Sequence, residues 1–182
     1  MNVAGRPFRP SRIRPSLLRR VARAVSLAGA VLLLGLGVMS DVRAAPTTAQ
    51  SLPTEPLAIE TADGTLHHFT VEIAATPAEQ RIGLMFRQEM APDHGMLFEF
   101  AMPRRARFWM KNTYLPLDLL FIRSDGRIAN IAHGEPLRLD GIESRGRVAA
   151  VLELNAGTAA RLGIKAGDRV RHPFFDTVDG GS

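Results

Sequence analysis

From position 57 onward the chain sets short apolar runs between turn-forming clusters, the pattern of a β-rich domain. Residues 57–61 predict a strand, and Asp63-Gly64 a tight turn. Residues 66–73 alternate. His67, Phe69, Val71 and Ile73 take one face and His68, Thr70 and Glu72 the other, so the two strands form a hairpin. Thr76-Pro77-Ala78-Glu79 is a capping box with proline at the first helical position. Ala78, Ile82, Met85 and Phe86 recur at helical spacing, which predicts a helix running to about Arg87 with one apolar face. Strands follow at 96–100 and 107–111, separated by Pro103-Arg104-Arg105. Residues 117–122 are apolar on both faces, as in a central strand. Another strand spans 127–133, a polar loop 134–147, and the last long strand 148–154. A short helix at 158–162 stops at Gly163, and a turn and strand fill 165–171. The class predicted is α+β: a mainly antiparallel, strongly curved or partly closed sheet of seven to eight strands with two short helices.

The first 44 residues follow a different pattern. Seven arginines, Arg6 to Arg23, precede an uncharged run from Val25 to Met39, and small residues stand at Val42 and Ala44. The run is too short for a membrane span, which takes about 20 residues, and matches the apolar region of a secretory signal cleaved after Ala44. An uncleaved N-terminal anchor is the alternative, and Arg19-Arg20 leaves the twin-arginine route open beside the general one. The expected organisation is a signal peptide at 1–44, a flexible linker at 45–55, one globular domain at 56–176 and a tail at 177–182. The location expected is the periplasm or envelope, with no stable membrane span after cleavage.

Cleavage reverses the charge balance. The whole chain is +5, but residues 1–44 hold 8 of its 23 Lys and Arg and one of its 18 Asp and Glu. The remainder carries 15 basic and 17 acidic residues, net −2. That composition lacks the basic stripe of a nucleic-acid binder. The chain has no cysteine, which excludes a thiol nucleophile, a disulfide and a Cys-based zinc site.

Several blocks occur together in order: Gly83-Leu84-Met85-Phe86-Arg87, Gly95-Met96-Leu97-Phe98, and Phe108-Trp109-Met110-Lys111-Asn112-Thr113 with Leu117-Asp118. Val151 to Gly157 (VLELNAG) and Gly163 to Asp168 (GIKAGD) complete the set. In this order and spacing the chain resembles domain-of-unknown-function family 192 over residues 57–172. The resemblance implies a compact β-rich fold and an exported location. It implies no reaction, substrate or catalytic residue.

Candidate chemistry therefore rests on the residues. Trp109, the only tryptophan, stands between Arg107 and Lys111 and reads as a stacking platform for a planar ligand, with Lys111 and Asn112 as polar contacts. The bland alternative is a tryptophan lid whose neighbours extend their charges into solvent. Asp118, Glu153 and Glu99 interrupt apolar strands, where a lone carboxylate is costly without a partner; Arg87, Lys111 and Arg107 are the cations available. Such carboxylates either converge for acid–base work or fix strand register through ion pairs. The ligand-binding candidates are Arg87, Trp109, Lys111, Asn112, Asp118 and Glu153. No metal site or cofactor is expected, because no histidine spacing fits one. The leading expectation is an envelope binding or accessory module for an unidentified small ligand. The alternatives are a hydrolase or lyase using paired Asp118 and Glu153, and a protein partner of an envelope assembly whose polar network is structural.

Overall fold

In the computed structural model, which describes residues 48–175, seven strands form a single mixed sheet. The strands are β1 (Thr54–Glu60), β2 (Leu66–Ala74), β3 (His94–Phe108), β4 (Leu117–Ile122), β5 (Ile128–Gly134), β6 (Ile142–Asn155) and β7 (Arg169–Arg171). Two short helices, α1 (Pro77–Ile82) and α2 (Thr158–Leu162), complete the α+β architecture. The order across the sheet is β5-β4-β6-β3-β2-β1-β7, and every pairing but β2–β3 is antiparallel. The sheet curls until its ends meet. Arg127 bridges Arg169, the Ile128 amide donates to the Asp168 carbonyl, and the Val170 amide donates to the Gly126 carbonyl.

This half-barrel gives the sheet two apolar faces. The inner face collects Ile59, Val71, Leu97, Leu120, Leu152 and Val170, with Ala159 of α2 and Ile164 packed on it. The outer face of the central strands carries Met96, Phe98, Leu117, Leu119, Phe121 and Val151. Because β4 and β6 face apolar material on both sides, their sequences read as near-continuous hydrophobic runs. Gly95 allows β3 to lie close to β6: a β-carbon there would stand 2.6 Å from the Glu153 carbonyl oxygen.

Four expectations need correction. Residues 94–108 form one strand, not two. Pro103 falls where the β3–β6 register shifts, so its missing N–H costs no ladder bond. Trp109 and Lys111 lie beyond its end. The expected loop at 134–147 is half strand, because β6 starts at Ile142. Ser144 Oγ accepts from the Ala106 amide, and Asn130 bonds the backbone at Glu143 and Arg145. Helix α1 has the expected capping box but ends at Ile82, and none of its residues is buried. Gly83 turns the chain with φ +50°, where even a β-carbon would press on the Phe98 ring at 3.0 Å. Finally, the segment expected as linker is bound from Gln50 on. The Gln50 amide donates to the Glu79 and Gly83 carbonyls at the end of α1, and Leu52 N–H donates to Glu72.

The expected signal segment lies outside the described residues, as does the whole of the expected tail at 177–182. Among the described residues no helix is long and apolar enough to cross a membrane.

Candidate functional site

The β4–β6 register decides how the two carboxylates relate. Leu119 pairs with Glu153 and Asp118 with Leu154, and residues paired across strands share a face. Asp118 therefore points to the inner face with Leu120 and Leu154, and Glu153 to the outer face with Leu119 and Val151. The sheet separates them, which overturns the paired-carboxylate scheme. Glu99, opposite Ala150, also takes the inner side.

Asp118 has a structural task. Helix α2 begins at Gly157, which offers no capping side chain. Asp118 Oδ2 supplies the missing acceptor from the neighbouring strand, 2.9 Å from the Ala159 amide. His133 stands 3.6 Å from Oδ1 at the rim. Asp118→Ala is expected to cost about 1–2 kcal/mol in denaturant unfolding, the usual worth of a lost helix cap. A loss above about 3 kcal/mol would mean that a charged partner, not the helix amide, holds the carboxylate.

Arg87 is likewise committed. Its two terminal nitrogens meet Glu72 at 2.6 and 2.7 Å, and Nη2 also donates to the Gln50 carbonyl. Sequence reading had placed Arg87 among the ligand contacts; the structure spends it on a buried bidentate ion pair. Asn112 sits in a turn with φ +53°, and its carbonyl accepts from Phe86 N–H.

Glu153 and Glu72 occupy one row on the outer face, separated by Met96, since Glu72 pairs with Met96 and Met96 with Glu153. The contrast between them is sharp. Glu72 has Arg87. Glu153 is 5% exposed, and among the described residues no hydrogen bond or ion pair engages its carboxyl. Burial alone raises its pKa to about 8. At neutral pH it is therefore largely a neutral acid, able to donate its proton in a hydrogen bond.

Glu153 lines a cleft of about 120 Å³ that is open to solvent. One wall is α1 and the turn after it, with Gln80, Arg81 and Gly83. The other is the far half of β3, with Phe100, Arg104 and Arg107, followed by Trp109. Gln80 fixes the first wall by donating to the carbonyls of Ala74 and Glu99. Phe108, packed edge-on against Phe98 and Phe121, anchors the second. Two aromatic rings of this second wall each carry a cation: the Arg104 guanidinium lies 4.1 Å from the centre of the Phe100 ring, and the Lys111 ammonium 5.5 Å from that of Trp109. A second, larger depression of about 460 Å³ continues past Arg107 and Trp109 to Leu139.

Of the six predicted residues, the cleft brings together Trp109 and Glu153, with Lys111 beside the tryptophan. Arg87, Asn112 and Asp118 do not line it. The sequence reading missed Arg104, Phe100 and Gln80. The arginines of β3 were hidden by Pro103, which reads as a break; strand alternation carried through it would have put Phe100 and Arg104 on one face.

The chain belongs to the DUF192 family, described as Uncharacterized ACR, whose match covers residues 58–172. A crystal structure from Sinorhizobium meliloti 1021, described as a "putative transcription regulator", is 51% identical with a TM-score of 0.67; the match covers 69% of this chain and 98% of that one. A protein of unknown function from Novosphingobium aromaticivorans DSM 12444 is 43% identical with a TM-score of 0.65, covering 71% of this chain and 94% of the other. A search among curated proteins returns no match.

Proposed function

We propose that this domain is a small-ligand-binding module of the bacterial envelope and that the Glu153–Trp109 cleft is its site. The observation that carries this reading is the unpartnered carboxyl of Glu153. Leaving such a group on an apolar face lowers stability, and local rules of this kind are broken where a site needs them broken. A ligand acceptor atom would supply the hydrogen bond that the protein withholds, and the exposed Trp109 ring would take an apolar body. Envelope location rests on the arginine-rich, apolar N-terminal segment. A transcription-regulator role, the description given to the Sinorhizobium protein, is disfavoured by the net −2 charge outside residues 1–44.

Trp109 is the only tryptophan, so intrinsic fluorescence reports on the cleft directly. A screen of sugars, short peptides and organic acids against residues 45–182 is expected to yield compounds that change Trp109 emission saturably and raise the melting temperature. Glu153→Leu should abolish both responses. A screen in which no compound moves either signal would sink the binding reading. Fractionation of expressing cells, with mass spectrometry of the product's N-terminus, tests location; a mature chain starting at Ala45 is expected.

A further inference from the structure

The cleft of the proposed binding site is electrically one-sided. Arg81, Arg104 and Arg107 line it, and Lys111 stands over Trp109 at its edge. Against them the lining offers one acid, Glu153. Among the described residues, Arg81 and Arg104 have no carboxylate partner. Arg107 has only Glu143, at 3.7 Å with both side chains exposed, a pairing worth little in water. The other charges near Glu153 on this face are Glu72 and Arg87, beyond Met96, and they neutralise each other. The neighbour on the β4 side is Leu119. Arg81 and Arg104 thus lack a carboxylate partner among the described residues, and Arg107 has only a weak one.

Their geometry adds to the sign. The Arg104 guanidinium stands over the Phe100 ring, 4.1 Å from its centre, and a guanidinium held on an aromatic ring keeps N–H donors for a carboxylate or phosphate. Gly141 leaves room for the Arg107 side chain to lie across its backbone: a β-carbon there would stand 1.9 Å from Arg107 Nε. Arg107 is thereby braced where the cleft meets the depression running to Leu139, and Arg104 lines the cleft beside it.

Resting on the binding reading above, we infer that the ligand is a small organic anion with a flat apolar body. Its charged group sits against the Arg104 and Arg107 guanidiniums, its body lies against the exposed Trp109 ring, and a further acceptor atom reaches the Glu153 carboxyl. Carboxylates and phosphate esters share this chemistry, and the test separates them.

Benzoate, phenyl phosphate and the neutral isostere benzamide are titrated into ¹⁵N-labelled protein of residues 45–182, following the amides of residues 80–84 and 104–109. One or both anions are expected to bind in the cleft at least tenfold more tightly than benzamide. Their affinity should fall as sodium chloride rises. Arg104→Gln with Arg107→Gln, both on the surface and so nearly neutral for folding, should reduce the anion advantage to less than threefold. Benzoate binding without phenyl phosphate would assign carboxylates, and the reverse would assign phosphate esters. Benzamide binding as tightly as the anions, or an anion advantage that survives the double substitution, overturns the inference and leaves the binding reading standing. No shift in the cleft amides with any of the three overturns the inference, and the fluorescence screen then decides the wider reading.

Discussion

Arg87→Ala is expected to lower the melting temperature by about 10 °C or more. Both partners of the Glu72–Arg87 pair are almost wholly withdrawn from water, with side chains 11% and 16% exposed. The geometry is bidentate, and Glu72 also accepts from Leu52 N–H. Removing the arginine leaves a buried carboxylate with one backbone donor. Breaking such a pair from one side costs about 3–5 kcal/mol, which for a domain of this size corresponds to the stated fall. The damage should spread locally. Arg87 also holds the Gln50 carbonyl, and the Gln50 amide bonds two carbonyls at the end of α1. Hydrogen exchange should therefore speed up first in residues 50–53 and 79–87. The companion variant Glu72→Leu with Arg87→Met should recover most of the loss, because an apolar pair of similar volume removes both charges together. A single-variant loss below about 1 kcal/mol would show that water already reaches the pair.

Local chemistry was legible in the sequence, and long-range register was not. The capping box at Thr76 and Glu79 closes within three residues, so it could be read directly. The same holds for the turns at Gly64, Gly126 and Gly163, which all take positive φ. The burial of Phe69 and Val71 on one face followed from alternation within a single strand. Asp118 and Glu153 mark the limit. Each is a carboxylate set in a run of leucines, and nothing in either run differs in kind. What separates them is the pairing of Leu119 with Glu153. That pairing joins strands 34 positions apart, and a slip of one residue would have put both acids on one face. The partner of Arg87 was hidden for the same reason. Glu72 alternates as a solvent-side residue, and only the parallel β2–β3 pairing brings it beneath the turn that carries Arg87. The cleft itself joins α1, β3 and β6, so its membership could not be read from any one segment.

Glu153→Gln is expected to stabilise the protein, by an amount that grows with pH. In the unfolded chain this carboxyl titrates near its ordinary value of 4.5, and in the folded protein burial raises it to about 8. Between those values the folded state holds a proton that the unfolded state has released, so stability falls as pH rises. Below pH 4.5 both states are protonated and the group is neutral in effect. At pH 7 the wild type gives up roughly 3 kcal/mol at this residue, and above pH 8 roughly 5. Glutamine has nearly the same shape and no charge to bury, so its curve should lack this slope. Other carboxylates titrate in the acid range, but they are common to both proteins and cancel in the difference. Urea unfolding at half-unit steps from pH 4 to pH 9 should give curves that coincide at the acid end and diverge towards pH 8, with the variant melting roughly 10 °C higher near pH 7. Parallel curves would mean that Glu153 is ionised in the folded state and has a partner, which would remove the main support for the cleft as a site. Divergence would mean that the fold gives up a substantial part of its stability to keep one acid unpaired. Stability surrendered at a single solvent-reachable position is what a working site costs, and a scaffold role for Glu153 offers nothing to offset it.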